Sequence, residues 1–319
     1  MSKQENYPLL VLLGPTAVGK TKLSLAIARE INAEIISADS MQIYCKMNIG
    51  TAKVSPEIQK EISHHMIDII SPEENFSVAA YQKAVDKLIP RICNQQKIPL
   101  IVGGTGLYIK AVTKGFLLPP MKKNKALRNK LGKKANQEGK KAVHKKLQQI
   151  DPELAQKLHP NDLRRVIRGI EIYHQTGKTR TYYQKKQKQQ PDRYHFLKIG
   201  LKRSRQELYQ RINRRAQEMI NQGLISEVKK LINEYQLSPT ALQALGYKEI
   251  FGYIEGKYDK KKALRLIQRN TRHYAKKQLT WFKRDRDIHW FNLSKMEYSK
   301  VREEIITLVT KFIYQKGVF

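Results

Sequence analysis

The sequence predicts an α/β fold: a parallel β-sheet flanked by helices and interrupted by a basic, all-helical insert. Three observations carry this. Short apolar runs alternate with helix-length amphipathic stretches before residue 119, the pattern of strand–helix–strand units with right-handed crossovers. The glycine-bearing segment Gly14-Pro15-Thr16-Ala17-Val18-Gly19-Lys20-Thr21 joins the first apolar run to the first helix. From residue 120 to 199 the strand pattern stops, and Lys and Arg outnumber Asp and Glu by 22 to 6. The expected organisation is a core of residues 1–118 and 200–319 with an insert of residues 119–199.

The first element, Leu9-Leu10-Val11-Leu12-Leu13, is a continuous apolar run of the kind that a fully buried strand requires. The segment after it is a phosphate-binding loop, and its place between strand and helix defines a P-loop NTPase-like core. Gly14 and Gly19 let the backbone curl until its N–H groups point inward at a helix N-terminus, with Thr16, Ala17 and Val18 between them. Lys20 adds a point charge, and the Thr21 hydroxyl can reach a phosphate-bound magnesium ion. The loop implies a polyphosphate ligand and leaves open which bond breaks.

The second strand, Ala33-Glu34-Ile35-Ile36-Ser37, runs into the polar cluster Ala38-Asp39-Ser40-Met41-Gln42-Ile43-Tyr44. Open α/β sheets bind their ligands at such strand ends. Asp39 can serve there as a magnesium ligand, a general base or a turn cap. His64 to Ile70 reads as a further strand. His64 and His65 lack partners at ligand spacing, so a structural or substrate-orienting role is expected rather than a metal site. An amphipathic helix follows from about Val78 to Asn94. Pro99 to Val102 is then a short buried strand, broken by Gly103-Gly104-Thr105-Gly106-Leu107-Tyr108. A kinase or ATPase often carries an acid at that strand end, so the glycines count against ordinary ATP hydrolysis. They do allow close approach to the backbone, and Thr105 offers a hydroxyl.

Within the insert, Asn161 or Asp162 caps a helix that sets Arg164, Arg165 and Arg168 at i, i+1 and i+4. Two of them share a face suited to nucleic-acid phosphates. Residues 182–190, which include Lys185-Lys186-Gln187-Lys188-Gln189-Gln190, read as a solvated, mobile loop. Phe196 to Leu201 returns the chain to the sheet. The next helix carries Leu208, Ile212, Ala216, Met219 and Ile220 on one face. Arg211, with Arg214 and Arg215 one turn on, suits anion binding across a cleft and a solvated face equally. A helix from Lys260 through Trp281 mixes Arg269, Arg272, Lys276 and Lys277 with His273, Tyr274 and Trp281, a composition suited to partly single-stranded RNA. Ile288-His289-Trp290-Phe291 is the expected closing strand.

The chain of 319 residues carries a formal charge of +33, a field that attracts nucleic acid or an anionic membrane surface. Its two cysteines, Cys45 and Cys93, cannot build a disulfide framework or a structural zinc site, which fits a reducing compartment. No apolar run reaches the length of a membrane span. A cytoplasmic protein without a membrane partner is expected.

Six blocks, in order, resemble one family over nearly the whole chain: Gly14 to Thr21, Ile36 to Tyr44, Ile49-Gly50-Thr51-Ala52-Lys53, Val102 to Tyr108, His159 to Arg168 and Ala275 to Phe282. The family is the tRNA dimethylallyltransferases, or tRNA isopentenyltransferases, in their bacterial form. The resemblance implies that Gly14, Thr16, Ala17, Val18, Gly19, Lys20 and Thr21 hold the diphosphate of dimethylallyl diphosphate, with Mg2+ at Thr21. It further implies transfer of the five-carbon group to the exocyclic N6 amine of the adenosine 3′ of the anticodon, in tRNAs that read codons beginning with U. Asp39 then accepts the amine proton, Thr105 orients the reactants and Arg211 stabilises the leaving diphosphate. Ser40, Met41 and Gln42 would contact the flipped adenine. Arg128, Arg164, Arg165, Arg168, Lys276, Lys277, Gln278 and Trp281 match segments that face the anticodon arm of the tRNA, and a monomer is expected. Lys277 stands where the family commonly has Arg. Two other enzyme classes share the loop: an ATP-dependent kinase or RNA-stimulated ATPase, which the missing strand-end acid disfavours, and a transferase acting on free adenine nucleotide, which would not need the basic insert.

Overall fold

The computed structural model describes residues 7–117, 119, 121, 124–191 and 193–314. Six strands form one parallel sheet: β1 (Pro8–Leu13), β2 (Ala33–Ala38), β3 (His64–His65), β4 (Ile98–Gly103), β5 (His195–Lys202) and β6 (Ile288–Asn292). Their order is β3-β2-β4-β1-β5-β6. β1 is buried along its whole length, and its residues sort by pleat. Leu10 and Leu12 face one side, packing with Leu23 and Ile27 of the helix Lys20–Glu30 and with Val301 and Ile305 of the helix Tyr298–Tyr314. Leu9, Val11 and Leu13 face the other, with Val85 and Ile89 of the helix Val78–Asn94 and Ile109 and Val112 of the helix Gly106–Lys114. Each fully buried aliphatic side chain contributes about 1.5–3 kcal/mol. An unbroken apolar run is thus what a two-sided strand demands.

β4 lies between β2 and β1, so Leu13, Ala38 and Gly103 end side by side, with the pairs Leu13↔Gly103 and Ala38↔Gly103 in register. β5 then extends the sheet on the far side of β1. The loops carrying Gly14, Asp39 and Thr105 therefore open into one crevice where the chain reverses direction across the sheet. A third apolar cluster joins Ile43, Tyr44 and Met47, just past β2, to Ala216, Ile220, Val228, Tyr247 and Ile267. It ties the Asp39 loop to the C-terminal helices.

The chain divides into two compact units, Met1–Thr113 with Arg193–Phe319 and Lys114–Asp192. The second unit has its own core of Leu131, Val143, Leu147, Leu154, Val166 and Ile170, from the helices Lys125–Gln137, Lys140–Ile150, Pro152–Lys157 and Leu163–Thr176. Three expectations change. Residues 193–199, placed with the insert by the sequence boundary, belong to the sheet unit, because His195 already pairs with Pro8. Much of the polar run 182–190 is helix, Arg180–Lys188; the Thr179 side chain caps it, and Thr181 bonds the buried Asp151 carboxylate through N–H (3.0 Å) and hydroxyl (2.6 Å). The strand expected over 64–70 stops at His65, because Met66 (φ 63°) and Asp68 (φ 53°) turn the backbone left-handed. Ile69 N–H then donates to Ile43 O instead of extending the sheet. Among the described residues, no helix is long and apolar enough to cross a membrane.

Candidate active site

The phosphate loop begins where β1 ends. A Cβ on Gly14 would stand 2.7 Å from Leu201 O, so the neighbouring strand admits only glycine there. Gly19, at φ 116°, turns the chain into the helix Lys20–Glu30. Three arginines brace the loop, two at carbonyls and one at a side-chain hydroxyl. Arg203 Nε donates to Val18 O (2.8 Å), Arg211 Nε to Ala17 O (2.8 Å), and Arg215 Nη1 reaches Thr16 Oγ1 (3.5 Å). Lys20 Nζ folds over its own loop, donating to Gly14 O (3.0 Å) and Pro15 O (2.8 Å). Burial pushes its pKa down to about 7; Asp39 opposes that shift and Arg215 adds to it.

The second wall is the Asp39 loop. Thr105 N–H donates to Ala38 O (3.0 Å), and Thr105 Oγ1 accepts from Ser40 N–H (3.2 Å), so the ends of β2 and β4 hold each other. Asp39 Oδ1 accepts from Met41 N–H (2.9 Å), which makes it a turn cap. Its Oδ2 receives no hydrogen bond among the described residues, so the same carboxylate keeps an open oxygen in the cavity. Gln42 is engaged within the protein: Oε1 accepts from the Ser37 hydroxyl (2.8 Å) and Nε2 donates to Thr51 O (3.2 Å). The cavity between these walls measures about 720 Å³.

Tyr274 in the cavity and Arg203 behind the loop escaped the sequence reading as site groups, and for Arg215 the sequence is even between anion binding and a solvated face. Arg215 lies four residues after Arg211 on the same helix face, and both line the cavity; burial lowers the Arg215 pKa while Asp39 supports its charge. The Tyr274 hydroxyl lies beside Thr105 and Gln278, and its pKa is pushed up to about 12 by burial first and then by Asp39. Arg203 braces the loop from a turn that carried no signal. Gln278, expected to face RNA, is buried: its Oε1 accepts from Thr16 N–H (2.9 Å) and its Nε2 donates to Gly104 O (2.9 Å). Lys277 lines the cavity, and the half-exposed Trp281 ring covers Gly106, where a Cβ would fall 2.3 Å from the indole.

The histidines are occupied. His65 Nε2 pairs with Glu34 (2.6 Å) and His64 Nδ1 with Ile62 O (2.6 Å). No group of three His, Cys, Asp or Glu side chains is placed for a metal among the described residues. The groups left for a cation are the Thr21 hydroxyl and the Asp39 carboxylate, both lining the cavity. So sparse a set fits magnesium, which completes its shell with phosphate oxygens and water.

In the inserted unit, Arg128 (2.6 Å) and Arg168 (2.7 Å) both pair with the fully buried Glu171, which also accepts from Asn124 N–H (2.8 Å). Arg128 and the Asn124 N–H thereby tie the helix Lys125–Gln137 to Leu163–Thr176, while Arg168 pairs with Glu171 within its own helix. Arg165 pairs with Asp162 (3.3 Å), while Arg164 is exposed and makes no ion pair among the described residues.

A parallel sheet whose crevice joins a phosphate loop to an uncommitted carboxylate oxygen, with no acid ending β4, defines a phosphate-loop protein built for group transfer. The profile of the IPP transferase family matches residues 42–285. The chain is 62% identical over 310 residues to the tRNA dimethylallyltransferase of Halothermothrix orenii, covering 97% of this chain and 94% of the relative. It is 49% identical to that of Carboxydothermus hydrogenoformans, covering 94% and 96%. Among solved structures, the tRNA isopentenylpyrophosphate transferase of Bacillus halodurans superposes with a TM-score of 0.74 at 40% identity, covering 98% of each chain. A eukaryotic dimethylallyltransferase acting on tRNA gives 0.85 at 26% identity, covering 97% of this chain and 80% of the other. The chain belongs to the IPP transferase family.

Proposed function

We propose that the protein transfers the dimethylallyl group of dimethylallyl diphosphate to the N6 amine of the adenosine 3′ of the tRNA anticodon, releasing diphosphate. The observation that carries this reading is the convergence of the phosphate cradle and the Asp39 carboxylate on one cavity, with no acid at the end of β4. The bond from carbon to the bridging oxygen breaks as the adenine nitrogen bonds that carbon, and both bonding electrons leave with the oxygen. Loop amides, Lys20, Arg211 and Arg215 face the growing negative charge. Asp39 Oδ2 takes the proton that the amine must lose, and Thr105 with Tyr274 fixes the loop that presents it. Thr21 would hold Mg2+ against the diphosphate, and the ion would supply further charge neutralisation there. The target base leaves its stack to enter the cavity, against Ser40 to Gln42, while Arg164 and its neighbours on the insert take phosphates of the anticodon arm. A monomer working in the cytoplasm meets these needs.

The test offers radiolabelled dimethylallyl diphosphate to unmodified tRNA, to AMP and to an RNA hairpin without adenosine, with ATP hydrolysis followed in parallel. Label confined to tRNA, at the adenosine after the anticodon, is the expected result. Asp39→Asn should lower turnover by about 10²-fold or more with tRNA binding retained. Label in AMP, or ATP turnover without transfer, would overturn the reading.

A further inference from the structure

A second cavity, of about 440 Å³, lies outside the active site, among the end of β5, the start of the helix Arg205–Asn221, the last turns of the helix Lys260–Phe282 and β6. Leu208, Leu279, Tyr209 and Trp290 give it apolar walls. Lys202, Arg205, Lys276 and Lys283 surround it; all four are exposed, and none makes an ion pair among the described residues. Arg203, the fifth cation there, is spent on Val18 O, Glu207 and Leu293 O. Arg205 lies over the Tyr209 ring, 5.2 Å from its centroid. Among the described residues, no acid lines this slot.

We propose that this groove binds one nucleotide of the substrate RNA other than the one being modified, with its base against Trp290 and Leu279 and its flanking phosphates on Lys202, Arg205, Lys276 and Lys283. The assignment rests on the reading of the protein as a tRNA-modifying enzyme. Charge and shape decide the class of ligand. Four exposed cations around an aromatic-walled slot match a polyanion that carries flat apolar faces. A free carboxylate metabolite would use the charges and leave the aromatic wall empty. Position points to RNA in particular. One helix serves both cavities: Tyr274, Lys277 and Gln278 line the active site, and Lys276, Leu279, Thr280 and Lys283 line the groove. A strand of RNA with one base in the active site has a second foothold on the opposite face of that helix.

The test compares binding of unmodified tRNA and of dimethylallyl diphosphate to the wild type and to three variants. Lys202→Ser with Arg205→Ser should weaken tRNA binding about tenfold and lower the slope of log affinity against log salt by about 2. Thr280→Trp, at an exposed rim position, should fill the slot and cost about tenfold in tRNA affinity without a change of charge. Both should leave donor affinity and the thermal midpoint unchanged. Lys229→Ser with Lys260→Ser, the same charge change at exposed positions elsewhere, is the control and should lose much less. An equal loss in the control pair, or wild-type binding by Thr280→Trp, overturns the assignment. So does loss of binding to phosphatidylglycerol vesicles with tRNA affinity kept, which would give the groove to an anionic lipid surface. Transfer of label to tRNA by all variants separates failure of the groove from failure of the functional reading.

Discussion

Gln278 joins the phosphate loop to the end of β4, accepting from Thr16 N–H and donating to Gly104 O, each at 2.9 Å. Gly104 makes the bridge possible, because a Cβ there would fall 2.1 Å from Gln278 Nε2. Gln278→Ala leaves a loop amide and a buried carbonyl unsatisfied, at about 1–3 kcal/mol each. Stability in urea should fall by that order, and the KM for the donor should rise about tenfold. Gly104→Ala should reproduce the phenotype by displacing the amide. If Gln278→Ala instead raised only the KM for tRNA, the residue would face RNA, as its place in the sequence block suggests.

Lys20 yields a pH prediction. In the free site burial brings its pKa down to about 7, and a bound diphosphate must raise it again. Below pH 7 the lysine is already charged and binding takes up no proton through it. Above pH 7 binding must first protonate it, so affinity should fall as pH rises. Calorimetry of inorganic diphosphate binding in two buffers of different ionisation enthalpy should find proton uptake near one at pH 8 and little at pH 6. Lys20→Met should remove that difference; uptake that survives in the variant would assign it to the ligand.

What the sequence disclosed follows from where the signal is local. Leu9 to Leu13, the loop to Thr21 and the glycines from Gly103 each declare themselves by neighbours in the chain, and the sheet is built from them. The strand after Ile62 was misread because the backbone N–H groups of Asp68, Ile69 and Ile70 donate to Gln42 O and Ile43 O past β2 instead, through left-handed turns that residue type does not announce. Gln278 and Tyr274 were misplaced or missed for another reason. Their partners Thr16 and Thr105 stand well over a hundred residues away, so only the tertiary fold shows that they face inward. Arg128 and Arg168 look like surface cations until the buried Glu171 appears between them.

That buried carboxylate gives the insert its own acid sensitivity. Burial alone would raise the Glu171 pKa, but Arg128, Arg168 and the Asn124 N–H outweigh it and bring it to about 2. A carboxylate with a depressed folded pKa stabilises fully above its ordinary value near 4.5, and that contribution is lost as pH falls toward 2. Glu171→Gln should cost on the order of 2 kcal/mol at neutral pH, less than full linkage because both guanidinium groups are about one third exposed. Amide exchange in the helices Lys125–Gln137 and Leu163–Thr176 reads this directly. The gap between variant and wild type should close as pH falls below 4; a gap independent of pH would mean that packing, not charge, is lost.

Glu227 holds the far side of the Asp39 loop. Its Oε2 accepts from Asn48 N–H (3.0 Å) and Ile49 N–H (2.9 Å), and its Oε1 from Gly50 N–H (3.4 Å) and the Tyr247 hydroxyl (2.7 Å). Gly50 lies so close to the Tyr247 ring that a Cβ would fall 2.3 Å from it. The next carbonyl, Thr51 O, accepts from Gln42, which accepts from Ser37, so the clasp reaches the segment that carries Asp39 through three links. Charge-assisted bonds of this kind contribute about 1.5–3 kcal/mol each. Glu227→Ala should therefore lower kcat about tenfold while the donor KM stays near that of wild type, since the phosphate loop shares none of these bonds. Tyr247→Phe removes one bond of the four and should have a milder effect of the same kind. An increase in donor KM to match that of Lys20→Met would show instead that the clasp supports the cradle and not the base.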